Sequence, residues 1–191
     1  DTLTGLPNRR LFMDYLAGEI SRAERHNYFG ALLYIDIDNF KTINDSLGHS
    51  VGDEFLIMVA SRLSEFIRKE DVAARMGGDE FTVVFTELAN TSQLAASKVR
   101  KIAEELNLCL SSVCRVGERN LQSTVSIGIS LFPKDNKGVE DILKQADTAL
   151  YRAKATGRNE IRFFLPSMQE AADEKLHLST ELRQALKQDD L

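Results

Sequence analysis

Two acidic pairs stand where a metal ion would need oxygen ligands. Asp79 and Glu80 follow Gly77-Gly78, between the strand-like runs Val72-Ala73-Ala74 and Phe81-Thr82-Val83-Val84-Phe85. A Gly-Gly pair in that setting predicts a tight hairpin turn, because glycine reaches positive φ without a steric penalty. The turn would present both carboxylates at its exit. Asp36-Ile37-Asp38 ends a second apolar run, Gly30 to Ile35, and the carboxyl end of a buried strand is where α/β sheets commonly place ligands. Mg²⁺ keeps several waters, so one or two carboxylates plus substrate phosphates suffice to hold it. Together the clusters suggest a split site for Mg²⁺ and a nucleotide. Taken singly, each also fits a solvated hairpin or a strand-end cap.

The elements that must position these groups alternate between helix and strand. Pro7 favours a helix start, and Leu11, Phe12, Tyr15, Leu16 and Ile20 recur at helical spacing. The charged run Arg22 to His26 ends that helix. The nearly continuous apolar run from Gly30 predicts a strand buried on both faces. A short helical turn over Asn39 to Asp45 and a long helix from about Gly52 follow, before the hairpin from Val72 to Phe85. Thr91-Ser92 opens a third helix, with Leu94, Ala95, Val99, Ile102 and Leu106 on its buried side. Leu108 to Val116 and Gln122 to Leu131 read as strands around a polar turn at Gly117 to Asn120. The alternation Ser126-Ile127-Gly128-Ile129-Ser130 predicts one wetter face. A helix over Val139 to Ala155, stopped by Gly157, and a last strand at Ile161 to Phe164 complete the pattern. It predicts an α+β sandwich whose mixed sheet is flanked by helices.

A chain of 191 residues can bury one core, with room for a helical appendage. Its net charge of −5 argues against broad nucleic-acid or anionic-membrane binding, so a nucleotide must be held by local groups and metal. No apolar run approaches the roughly 20 residues that span a bilayer, and no signal peptide is visible. Cys109 and Cys114, the two cysteines, suit neither a zinc site nor a redox motif. They read as reduced packing residues, consistent with a cytoplasmic location; a sensor or membrane anchor could precede the segment. His26, His49 and His177 form no ligand cluster.

Five separated blocks, taken together, resemble the GGDEF domain of bacterial diguanylate cyclases from Asp1 to about Phe164. They are Asp1 to Arg10, Asp36 to Asp53, Arg68 to Asp71, Arg75 to Phe81, and Ala146-Asp147 through Lys154 to Asn159. The resemblance implies a nucleotide-cyclase-like fold with a central, largely antiparallel sheet of about five strands and the motif on a β-hairpin. It implies a nucleotidyltransferase that makes cyclic di-GMP from GTP as a homodimer, with two Mg²⁺ or Mn²⁺ ions per active site. Asp36, the carbonyl of Ile37, Asp79 and Glu80 would hold the metal. Asp79 also matches the position proposed as general base, with metal activation of the hydroxyl as the alternative.

In the same family pattern, Phe40 and Lys41 lie in the phosphate-cradling segment, Lys41, Lys154 and Arg158 match phosphate contacts, and Lys41 joins Asp36, Asp79 and Glu80 as a catalytic residue. Asn44 and Asp53 match the guanine readers, with His49 between them lining the pocket. A carboxylate suits guanine N1–H and N2–H₂, and an amide serves both donors and acceptors. Arg68 and Asp71 match an inhibitory RxxD site for product.

Pro166 marks a boundary, so the expected organisation is a catalytic domain over 1–165 and a tail over 166–191. Met168 to Leu191 is charged and amphipathic, with Leu176, Leu182 and Leu186. It fits a solvated terminal helix. It also resembles the linker into an EAL phosphodiesterase domain in cis, although this chain carries no EAL catalytic motif. That neighbour opens an alternative role, in which the domain senses GTP for the phosphodiesterase.

Overall fold

The computed structural model describes residues 1–133 and 137–165, so the tail from Pro166 lies outside the described residues. Five helices, α1 (Arg9–His26), α2 (Phe40–Leu47), α3 (His49–Phe66), α4 (Ser92–Ser111) and α5 (Val139–Ala155), surround a sheet of order β2-β3-β1-β6-β7. Its strands are β1 (Phe29–Ile37), β2 (Val72–Gly77), β3 (Glu80–Ala89), β6 (Val125–Phe132) and β7 (Ile161–Phe163). All neighbours pair antiparallel except β6 and β7. This is the expected mixed, largely antiparallel α+β sandwich. A separate two-stranded ribbon pairs β4 (Cys114–Val116) with β5 (Arg119–Leu121).

The central strand β1 is buried on both faces, as its unbroken apolar run requires. Because side chains alternate along a strand, Ala31, Leu33, Ile35 and Ile37 point to one face and pack with Phe55, Val59, Leu63, Val99 and Leu106 of α3 and α4. Leu32 and Tyr34 point to the other and pack with Phe12, Leu16, Ile142, Ala146 and Leu150 of α1 and α5. Phe12, Phe55, Phe81 and Phe132 are fully enclosed, and each such side chain stabilises the fold by roughly 1.5–3 kcal/mol. Asn8 and Thr91 cap α1 and α4 by accepting from Leu11 N–H and Leu94 N–H.

Three expectations are corrected. Leu108 to Ser111 continue α4, so the predicted strand from Leu108 is reduced to Cys114–Val116; the buried stripe Ala95, Val99, Ala103, Leu106, Leu110 carries the helical period through that segment. On the same helix, Leu94 is half exposed instead of buried. The polar face of β6 is dry: Ser126, Gly128 and Ser130 lie under α5, with Ser130 donating to Gln145. At Gly128 a Cβ would stand 2.1 Å from Ala146 O and 2.3 Å from Leu150 N. Glycine there lets α5 lie on the sheet closely enough for its last turn to reach the end of β1. Among the described residues no helix is long and apolar enough to cross a membrane.

Candidate active site

Pairing of β1 with β3 sets Asp36 opposite Glu80. Tyr34, two residues back on the same face as Asp36, donates its hydroxyl to Glu80 Oε2 at 2.9 Å. The hairpin closes with Gly77 opposite Glu80, so Gly78 and Asp79 form the turn, and Asp79 sits within it instead of at its exit. Gly77 (φ 146°) and Gly78 (φ 52°) take left-handed conformations that side chains rarely adopt. Ile37 N–H donates to Asp79 O at 3.3 Å, tying the turn to the end of β1. Asp36, Ile37, Asp79 and Glu80 thus converge at one end of the β1–β3 pair.

Arg75 braces this turn, a role the sequence reading did not assign. Its Nε and Nη2 donate to Gly78 O at 3.0 and 2.8 Å, and its Nη1 lies 3.1 Å from Asp1 Oδ1. Asp1 in turn accepts from Thr4 N–H and Thr4 Oγ1. The first block of the sequence therefore holds the arginine that holds the turn.

Burial pushes the Asp36 carboxyl up to about 6; the Lys154 ammonium opposes that shift, and the charges of Asp79 and Glu80 add to it. Lys154 Nζ lies 2.6 Å from Asp36 Oδ2, so the lysine expected on phosphate rests on a carboxylate here. Burial also raises Asp147 on α5, with Glu80 adding and Lys154 opposing. Asp36 thus feels Asp79 and Glu80, and Asp147 feels Glu80, with Lys154 opposing at both, a concentration of negative charge suited to a divalent cation. Among the described residues no group of three His, Cys, Asp or Glu side chains could hold a metal alone. An all-oxygen set of one or two carboxylates and a backbone carbonyl fits Mg²⁺ or Mn²⁺ completed by phosphates and water.

Asp38 does something different. It is buried, and its carboxylate accepts from Thr124 Oγ1 (2.6 Å), Ser126 Oγ (2.7 Å) and Asn159 N–H (2.9 Å). These bonds stitch the end of β1 to β6 and to the loop after α5, so Asp38 is a structural anchor and Asp36 alone of the pair faces the hairpin acids.

The remaining expected residues fall into four places. Asn39, preceding α2, is left-handed (φ 57°) and makes no side-chain cap, leaving first-turn N–H groups available to an anion; Phe40 is buried there and Lys41 exposed. At the α2–α3 corner, Asn44 lies against Gly52, beside exposed Asp53, and His49 is exposed at the start of α3. Arg158 is exposed just beyond α5, with φ 63° and its N–H bonded to Ala153 O. Arg68 and Asp71 stand apart, at the opposite end of β2 from the turn, lining a cavity of about 190 Å³ with Phe85 and Glu105. Burial raises the Asp71 carboxyl, while accepted bonds from Thr86 N–H and Arg68 N–H oppose the shift.

Comparison with known proteins follows the same outline. The family model described as diguanylate cyclase, GGDEF domain, matches residues 1–160. The bifunctional diguanylate cyclase/cyclic di-GMP phosphodiesterase MucR of Pseudomonas aeruginosa is 39% identical over 97% of this chain and 26% of its own length. The cyclic di-GMP phosphodiesterase NbdA of the same organism is 37% identical over 100% of this chain and 24% of its own. The chain thus spans about a quarter of these relatives. The diguanylate cyclase TpbB of P. aeruginosa is 37% identical over 163 residues, 85% of this chain and 36% of its own. A solved structure comprising only the TpbB GGDEF domain superposes with TM-score 0.84 at 33% identity, covering 91% of this chain and 98% of that one. The chain belongs to the GGDEF domain family.

Proposed function

We propose that the domain is one half of a diguanylate cyclase, condensing two GTP into cyclic di-GMP and two pyrophosphates. The observation that carries this reading is the convergence of Asp36, Ile37, Asp79 and Glu80 at one end of the β1–β3 pair, with Lys154 on Asp36. The 3′-hydroxyl oxygen of one GTP attacks the α-phosphorus of the other. A P–O bond forms as the bond to the β-phosphate oxygen breaks, and pyrophosphate leaves; the reciprocal step closes the ring. Each domain cradles one GTP, so two domains face each other about a two-fold axis.

Asp36, the Ile37 carbonyl and Asp79 are the residues to hold Mg²⁺ or Mn²⁺, with Glu80 serving a second ion. Bound ions supply charge neutralisation on the triphosphate and a lowered pKa for the attacking hydroxyl. Asn44 and Asp53 read the guanine edge, with His49 at the pocket wall. The first turn of α2, from Phe40 to Lys41, cradles phosphate oxygens, and Lys154 and Arg158 neutralise them from α5 and its cap. Asp79 takes the hydroxyl proton or leaves it to water. Product binds at Arg68 and Asp71, where arginine offers two donors to guanine O6 and N7. Its GTP substrate makes the cytoplasm the working compartment of the domain.

A second reading has its own support. MucR and NbdA, both named for phosphodiesterase activity, match through essentially the whole chain, whereas the TpbB match spans 163 residues. On this reading 1–165 is the nucleotide-binding unit, 166–191 leads toward an EAL domain, and GTP bound here tunes hydrolysis there. GTP raising the hydrolytic rate of the full-length parent supports it; no effect removes it.

Incubating wild type and Asp79→Ala with GTP and Mg²⁺, and quantifying product by chromatography, tests the cyclase assignment. Cyclic di-GMP from wild type alone is expected. Synthesis retained by the variant would remove Asp79 from the mechanism.

A further inference from the structure

We propose that Gly52 is a specificity-determining position, because only a residue without a side chain leaves the Asn44 amide where it reads guanine. This rests on the cyclase reading of Asn44 and adds a positioning residue to it.

Gly52 is buried in the first turns of α3. A Cβ built there stands 1.9 Å from Asn44 Oδ1, 3.0 Å from Asn44 Cγ and 3.2 Å from Phe40 Cζ. The first distance is far inside van der Waals contact, so the Asn44 amide rests directly on the backbone of α3. Phe40 has little freedom to yield: it is buried and stacks on Phe55 with ring centroids 6.5 Å apart. With a methyl at position 52, the Asn44 side chain must therefore rotate away.

The fold loses little by that rotation. Among the described residues the Asn44 side chain has no hydrogen-bond partner, and it is the Asn44 carbonyl that accepts from Gly48 N–H to end α2. Asp53 is carried by α3 itself and stays in place, so a methyl at 52 removes one of two base-reading groups and leaves the other. A substitution that favours the helix, since alanine is the better helix former, should weaken recognition of the base.

The test compares wild type, Gly52→Ala, Asn44→Ala and the double variant by calorimetric binding of GTP and ATP with Mg²⁺, and by thermal melting. Gly52→Ala is expected to melt at or above wild type and to bind GTP roughly 10–100-fold more weakly, the cost of one lost base contact. ATP binding should hold, so the GTP-to-ATP preference collapses. Asn44→Ala should reproduce that collapse, and the double variant should be no worse than Asn44→Ala alone, since two changes acting through one amide are not additive.

If Gly52→Ala keeps the wild-type preference while Asn44→Ala loses it, the role of Gly52 is overturned and the guanine assignment of Asn44 survives. A preference intact in Asn44→Ala overturns both. Should Gly52→Ala fail to fold, recovery of folding in the double variant supports the contact, and failure of the double variant overturns it.

Discussion

Asn159 donates its backbone N–H to Asp38 Oδ2 at 2.9 Å, across 121 positions of sequence. That bond joins the end of β1, which carries Asp36, to the loop after α5, which carries Arg158. With Thr124 and Ser126 donating to the same carboxylate, Asp38 registers three segments, and the proposed triphosphate site draws on two of them, through Asp36 and Arg158.

Removing that carboxylate should therefore cost both stability and substrate binding. Asp38→Ala leaves one part-buried N–H and two hydroxyls, that of Ser126 fully buried, without their acceptor, a loss of roughly 2–4 kcal/mol. Urea unfolding measures it directly. GTP binding should weaken in parallel, because Arg158 loses its register; a variant as stable and as tight-binding as wild type would reduce Asp38 to an incidental contact.

Arg75 should act on the turn with less effect on the core. Arg75→Ala removes the donors to Gly78 O and the pairing with Asp1, freeing a turn whose two glycines do not hold themselves. Turnover is expected to fall at least about tenfold, while partly exposed pairs of this kind contribute little to stability, about 1 kcal/mol. Arg75→Lys should recover little, since a single ammonium cannot replace a planar fork of donors. Full activity in Arg75→Ala would remove the brace from the account of the site.

Tyr34→Phe keeps the packing of Tyr34 and deletes its hydrogen bond to Glu80. The released Glu80 should bind the second ion less well, raising the Mg²⁺ concentration for half-maximal activity about 3–10-fold with little change in melting temperature. An unchanged Mg²⁺ requirement would show that Glu80 needs no orienting.

Asp36 gives a pH signature in metal-free protein. Its folded-state pKa is raised to about 6, above the ordinary carboxylate value of 3.8. The native state therefore holds a proton that the unfolded chain has released, and stability falls as pH rises from about 4 through 6. Asp36→Asn should remove that slope and stabilise the domain above pH 6 by on the order of 2–3 kcal/mol, while abolishing turnover. Equal gains at pH 5 and pH 7.5 in denaturant unfolding would contradict the assignment.

Much of the site was legible because its parts are local. The Gly77-Gly78 turn, the strand ending at Asp36 and the helix from Val139 to Ala155 each follow from short-range patterns. What the sequence hid depends on tertiary partners. Asp36 and Asp38 look alike as residues, yet one lies opposite the hairpin and the other is saturated by hydroxyl and amide donors. The serines of β6 read as wet until α5 is laid over them, and Leu108 to Ser111 read as strand because their apolar density masked a helical stripe. Gly52 reads only as the start of a helix, and the approach of Asn44 gives it a role.

The most direct test is the specific rate of cyclic di-GMP formation from GTP and Mg²⁺ across a wide range of protein concentration. A rate per domain that rises with concentration is expected of half-sites that must meet. No product at any concentration, with GTP bound and two domains fused to force their encounter, would contradict a cyclase and leave a GTP sensor.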